Sequence, residues 1–157
     1  DYRMASDEVL NLYAAAVNYA DAAQLIFPHR ASDDRLGLIL PTHTLIGLAI
    51  ELGFKAIYLH LNGDPTKLRA PDVRHNLVSL RDITLRQGFR SDVAGIDDII
   101  TVIGDNYSAH EYRYMKPQST LRYVSGGGVI AAVQGFIDEV AVKVGLPVRP
   151  EPSVAAP

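Results

Sequence analysis

Residues 43–62 read HTLIGLAIELGFKAIYLHLN. On a wheel of about 100° per residue, Leu45, Leu48, Ala49, Leu52, Ala56 and Leu59 fill one side, and Ile46, Ile50, Phe54, Ile57 and Leu61 fill another. Only a narrow stripe of Thr44, Glu51, Lys55, Tyr58 and Asn62 interrupts them. A helix that is apolar nearly all round has to be surrounded, so this segment is expected at the centre of the molecule, packed by other helices or by a second subunit. Pro41-Thr42 opens it, because proline in a first helical turn loses no hydrogen bond. Asn62-Gly63-Asp64-Pro65 breaks it, combining four residues that favour turns.

Working outward, Val9, Leu10, Tyr13, Ala16, Val17, Ala20, Ala23 and Ile26 recur three or four apart, which predicts a first helix over residues 6–27. Ser6 followed by Asp7 and Glu8 is a start signal, an oxygen and two anions facing free N–H groups. The segment 72–87 reads as a third helix with Leu77, Leu80, Ile83 and Leu85 on its apolar side and Gly88 as its cap. A fourth is predicted over 92–115, with Ile96, Ile99, Ile103 and Tyr107 in register and Lys116-Pro117 as its stop. A fifth spans 129–144, preceded by Ser125-Gly126-Gly127-Gly128. No segment alternates with period two. The expectation is an all-α protein, an antiparallel bundle of about five helices forming one domain over residues 1–146, with a disordered Pro-rich tail over 147–157.

Composition narrows the function. The 157 residues are 48% hydrophobic and 21% charged, the content of one folded domain. Fifteen Lys and Arg against eighteen Asp and Glu give a net charge of −3, so no global positive field gathers phosphates and any nucleic-acid site must be local. The absence of Cys excludes disulfides, Cys-ligated zinc, iron–sulfur clusters and thiol catalysis. Residues 36–50 are free of charge but carry Pro41 and His43, and they are too short to span a membrane. A cytoplasmic location with no membrane partner is the expectation. His29, His43, His60, His75 and His110 include no pair at helical ligand spacing, and His110-Glu111 diverge, so neither a metal nor another cofactor is expected.

The fourth predicted helix carries the unusual feature. If it runs to residue 115, Asn106, His110, Arg113 and Tyr114 lie within about 80° of Ile99 and Ile103. A guanidinium on that face needs a carboxylate, a ligand or a water-filled cleft, and Glu51 on the central helix is the expected partner. Two readings follow. Glu51, Lys55, His110 and Arg113 form an internal polar network that sets helix register, or the same groups line a cleft where His110 exchanges protons and Arg113 holds a phosphate or carboxylate. His75, just before the third helix, either caps that helix or reaches the central one. Arg69, Arg74, Arg81, Arg86 and Arg90 interleave with Asp72, Asp82 and Asp92, the pattern of a solvated face.

Ile50-Glu51-Leu52-Gly53-Phe54-Lys55-Ala56, Arg74-His75-Asn76-Leu77-Val78-Ser79-Leu80 and Tyr112-Arg113-Tyr114, in that order behind an Ala/Leu/Tyr-rich first helix, resemble the HEPN domain family. The resemblance covers residues 5–145 and implies an antiparallel helical bundle, commonly a homodimer, of the kind found in toxin–antitoxin, phage-defence and nucleotidyltransferase-partner systems. Many members are metal-independent RNases whose catalytic Arg is followed, after four to six residues, by His. Here no His follows Arg113 in that window. Arg69 and His75 have the spacing, but Pro71 lies between them. The resemblance therefore implies a dimeric binding or interaction module linked to RNA or nucleotide, with a nucleotidyltransferase or antitoxin as possible partner and without nuclease activity. The alternative is a divergent RNase using Asn106, His110 and Arg113, with Glu51, Lys55, His75 and Tyr114 as surrounding ligand or network residues.

Overall fold

The computed structural model describes residues 4–29 and 37–150. Their helices are α1 (Asp7–Ile26), α2 (Ile39–His60), α3 (Leu77–Arg86), α4 (Ile96–Ser108) and α5 (Gly128–Lys143), with short 3-10 turns at Phe27–His29 and Lys67–Arg69 and no strand. The protein is an all-α helical bundle. Helix α2 buries 12 of its 22 residues because α1, α3, α4 and α5 all pack on it. Its apolar surface is thus largely covered within one chain, while Leu45, Leu48, Leu52 and Leu59 on one side remain half-buried. Ile46, Ile50, Phe54 and Ile57 meet Leu77, Leu80, Ile100, Ile103, Val133, Phe136 and Ile137 in one core, each such side chain contributing on the order of 1.5–3 kcal/mol by burial.

Small residues set how closely the helices approach. Ala16, Ala20 and Ala23 of α1 are fully buried, and α1 makes its most extensive contact with α2. On α2, a Cβ at Gly53 would stand 2.6 Å from the Phe136 ring, and one at Gly47 would stand 2.2 Å from the Tyr107 ring. Tyr107 therefore lies flat against the backbone of α2, and that seat decides where its hydroxyl goes.

Caps account for the helix starts. Ser6 accepts from the Val9 amide at 3.4 Å with Asp7 and Glu8 in the first turn, as expected. Helix α3 starts at Leu77, not near residue 72, because Asn76 is its cap, with Oδ1 accepting from the Ser79 amide at 3.0 Å. The preceding residues form turns.

Helix α4 stops at Ser108, seven residues before the predicted end at 115. The stop is local. His110 has φ +60°, its N–H donates to the Tyr107 carbonyl at 3.0 Å, and the Glu111 N–H donates to the Asn106 carbonyl at 2.9 Å. These are the two bonds of a Schellman cap, here with histidine in the left-handed position where glycine is usual.

Beyond it, residues 120–124 have no helical or sheet partners, and buried side chains satisfy them instead. Asn106 donates to the Thr120 carbonyl at 2.9 Å and accepts from the Arg122 amide at 2.8 Å. The Val124 amide donates to His43 Nε2 at 2.9 Å, while Nδ1 of the same fully buried ring faces the Ile39 carbonyl at 2.7 Å. Of the expected tail, residues 147–150 are described, and Arg149 among them pairs with Asp21 and Gln134. Residues 151–157, like most of the polar loop before α2, lie outside the described residues. No helix among the described residues is long and apolar enough to cross a membrane.

Candidate functional site

Glu51 is the anchor. It sits one turn after Gly47 on α2 and is only 3% exposed, a burial that a carboxylate tolerates only with several donors. Three reach it. Lys55 Nζ, one turn on, donates to Oε1 at 2.6 Å. The Tyr107 hydroxyl donates to Oε2 at 2.6 Å, placed there by its ring's seat on Gly47. His75 Nδ1 approaches Oε2 at 3.2 Å from the turn before α3. An ionised carboxylate only accepts, so Nδ1 of His75 carries its proton toward Glu51 and Nε2 is turned away from it.

His75 leads outward from the core. Its side chain is 31% exposed, and the His110 ring stands edge-on to it with centroids 5.0 Å apart. Arg113 Nη2 lies 3.0 Å from His110 Nδ1. A guanidinium only donates, so Nδ1 accepts and the His110 ring is neutral in this arrangement. Burial, then the positive charge of Arg113, then His75 and Arg74, hold the His110 pKa below its ordinary value, with Glu51 pulling the other way. Tyr107 is shifted upward, first by burial and then by the Glu51 carboxylate. It is a hydrogen-bond donor and no acid at ordinary pH.

The structure thus joins Glu51, Lys55, His75, His110 and Arg113 in one chain of contacts from core to surface. The expected Glu51–Arg113 ion pair is absent. Glu51 is occupied by Lys55, His75 and Tyr107, and Arg113 is exposed because α4 ends before it and the turn at His110 carries it into solvent. Among the described residues no carboxylate pairs with Arg113 or Arg74.

Asn106 and Tyr114 do not join the group. Asn106 is buried on the other side of the α4 terminus, where it binds Glu111 as well as the 120–122 backbone. Tyr114 is 72% exposed, again because the helix does not continue. His75 reaches the central helix and leaves the capping of α3 to Asn76. Tyr107 is the member that sequence reasoning missed. Its register with Ile99 and Ile103 reads as apolar, and the only signal was Gly47 four residues before Glu51.

The wider concavities lie elsewhere. A groove of about 570 Å³ between the starts of α4 and α5 is lined mainly by Gly95, Ile99, Val102, Tyr123 and Val129, with Asp98 as its charged side chain. It offers shape without a converging set of reactive groups. No three His, Asp or Glu residues among the described residues are grouped so as to hold a metal ion. What the His75/His110/Arg113 mouth can do is accept an anion at the guanidinium and pass protons through two imidazoles. Compared with known proteins, the chain matches no family model, no curated protein and no solved structure.

Proposed function

We propose that this protein is a HEPN-like helical module that binds RNA or a nucleotide through phosphate at the mouth formed by His75, His110 and Arg113. One observation carries the reading. A guanidinium without a carboxylate partner rests on a neutral imidazole, beside a second imidazole that is oriented by a buried carboxylate. Planar guanidinium donors suit phosphate oxygens, and the net charge of −3 makes this local feature matter more than any overall field.

Fluorescence anisotropy of a short labelled RNA, with nucleotide as competitor, tests the reading. Loss of one charged hydrogen-bond donor weakens binding by about tenfold or more, so Arg113→Ala is expected to bind at least that much more weakly than wild type. Absence of binding to both RNA and nucleotide, or equal binding by the variant, refutes it.

The edge contact between the imidazoles favours a second reading, metal-independent RNA cleavage. Two adjacent histidines supply the base that takes the proton of the 2′-hydroxyl as its oxygen attacks the neighbouring phosphorus, and the acid that protonates the 5′-oxygen as the P–O5′ bond breaks. Its test is cleavage of mixed RNA in the presence of chelator by wild type and His110→Ala. Equal or absent cleavage removes this reading and leaves binding alone.

A further inference from the structure

Which phosphate suits the mouth follows from its charges. Within it, Glu51 and Lys55 form a tight pair at 2.6 Å and cancel. Arg113, in contact with His110, and Arg74, the residue directly before His75, remain, both exposed, so two positive charges stand beside two imidazoles. An internal phosphodiester carries one negative charge and leaves one of them unanswered. A terminal phosphate monoester, with a second pKa of about 6, carries close to two at neutral pH and offers three oxygens.

We propose that the Arg74/His75/His110/Arg113 mouth recognises a terminal phosphate monoester, the phosphate drawing to itself the Arg113 Nη2 that His110 Nδ1 holds in the free protein. This rests on the phosphate-binding reading above and narrows its substrate class to a phosphorylated end or a nucleoside monophosphate. The exchange has a direct consequence for His110. Its Nδ1 lone pair, released from Arg113, faces an added dianion in place of the guanidinium, and a nearby negative charge favours the imidazolium. The groups facing that ring are Arg113 from its own turn, His75 and Arg74 from the turn before α3, and Glu51 from α2. The incoming phosphate is opposed by none of them except Glu51, whose charge is already taken up by Lys55, Tyr107 and His75.

The experiment compares the 5′-phosphorylated and 5′-hydroxyl forms of one short oligoribonucleotide at pH 7.5 by anisotropy, with AMP and adenosine as competitors. The phosphorylated form is expected to bind about tenfold more tightly, the effect of a charged hydrogen bond. Arg113→Ala and Arg74→Ala should abolish the preference, and Arg86→Ala, an exposed arginine of α3, should keep it. The NMR titration midpoint of His110 should rise when the phosphorylated oligomer is added. Competition by AMP assigns the monoester to a free nucleotide, and failure of AMP to compete assigns it to an RNA end. Either result supports the inference. Equal affinity for the two oligomers, still dependent on Arg113, overturns the inference and leaves the phosphate-binding reading standing. Binding of neither form overturns both.

Discussion

The left-handed turn at His110 allows a sharp test, because glycine and alanine at one position separate the backbone from the side chain. A non-glycine residue in this conformation costs about 1–2 kcal/mol, and φ at His110 is +60°. Glycine loses roughly 0.5–1 kcal/mol more than alanine in unfolded-state entropy. His110→Gly should therefore be more stable than His110→Ala by about 0.5–1 kcal/mol, or roughly 1–4 °C in Tm for a chain of this size. Both variants lack the ring contact with His75, so the comparison isolates the strain. The acid limb gives an independent reading. The His110 pKa is depressed in the folded protein by burial and by Arg113, so the unfolded chain takes up its proton first as pH falls. The neutral ring's contribution is fully present above the unfolded value of about 6.5 and is lost as pH drops through the lower folded value. Replacing His110 removes that loss, so both variants should lose less stability than wild type between pH 7.5 and pH 5. Urea denaturation at these two pH values measures all three proteins. Equal stability of the Gly and Ala variants would refute the strain reasoning, and an unchanged acid limb would refute the assignment of His110 to a cationic surround.

Gly47→Ala forces a Cβ to within 2.2 Å of the Tyr107 ring. Overpacking of this kind costs about 1–3 kcal/mol, so the urea midpoint should fall, and an unchanged midpoint would show that Tyr107 is not seated there. Glu51→Gln leaves the largely buried Lys55 ammonium without its counter-ion, at a cost of about 3 kcal/mol. Adding Lys55→Met should recover part of that loss in a double-mutant cycle, and strict additivity would deny the pairing. Asn106→Leu removes the bonds that fasten residues 120–122, for about 2–3 kcal/mol. Amide exchange at Arg122 should accelerate while the affinity for RNA measured on the folded protein stays at the wild-type value, whereas a direct loss of affinity would return Asn106 to the binding residues.

The sequence made the bundle legible because periodicity and punctuation agree along most of it. Ile46, Ala49, Ile50, Phe54, Ala56 and Ile57 of the α2 wheel are buried by its neighbours, and Ser6 marks the start of α1 within one residue. The end of α4 was illegible for a definite reason. Its cap uses His110 where glycine would have announced the left-handed turn, and the apolar register through Ile99, Ile103 and Tyr107 contains no other stop signal before Pro117. Extending the helix by periodicity then rotates Arg113 and Tyr114 inward, when both are in solvent. The pairing of His75 with Glu51 spans 24 residues and Tyr107 with Glu51 spans 56. Neither follows from local pattern, since each depends on how α3 and α4 lean on α2.

The same early stop is what assembles the site. Glu51 needs donors because it is buried, and Lys55 and Tyr107 alone give it two charge-assisted bonds within the core. His75 adds a third from a partly exposed position, extending the network to the surface, where a structural role alone requires nothing further. At that point the chain departs from α4 through a residue for which the conformation is costly, and that residue's ring covers His75 while its neighbour three positions on supplies a guanidinium. Glycine at residue 110 would close the helix with less strain. Keeping histidine there places a neutral imidazole between Arg113 and the carboxylate-bound His75, so the strain is matched by a side-chain arrangement that the cap itself does not need.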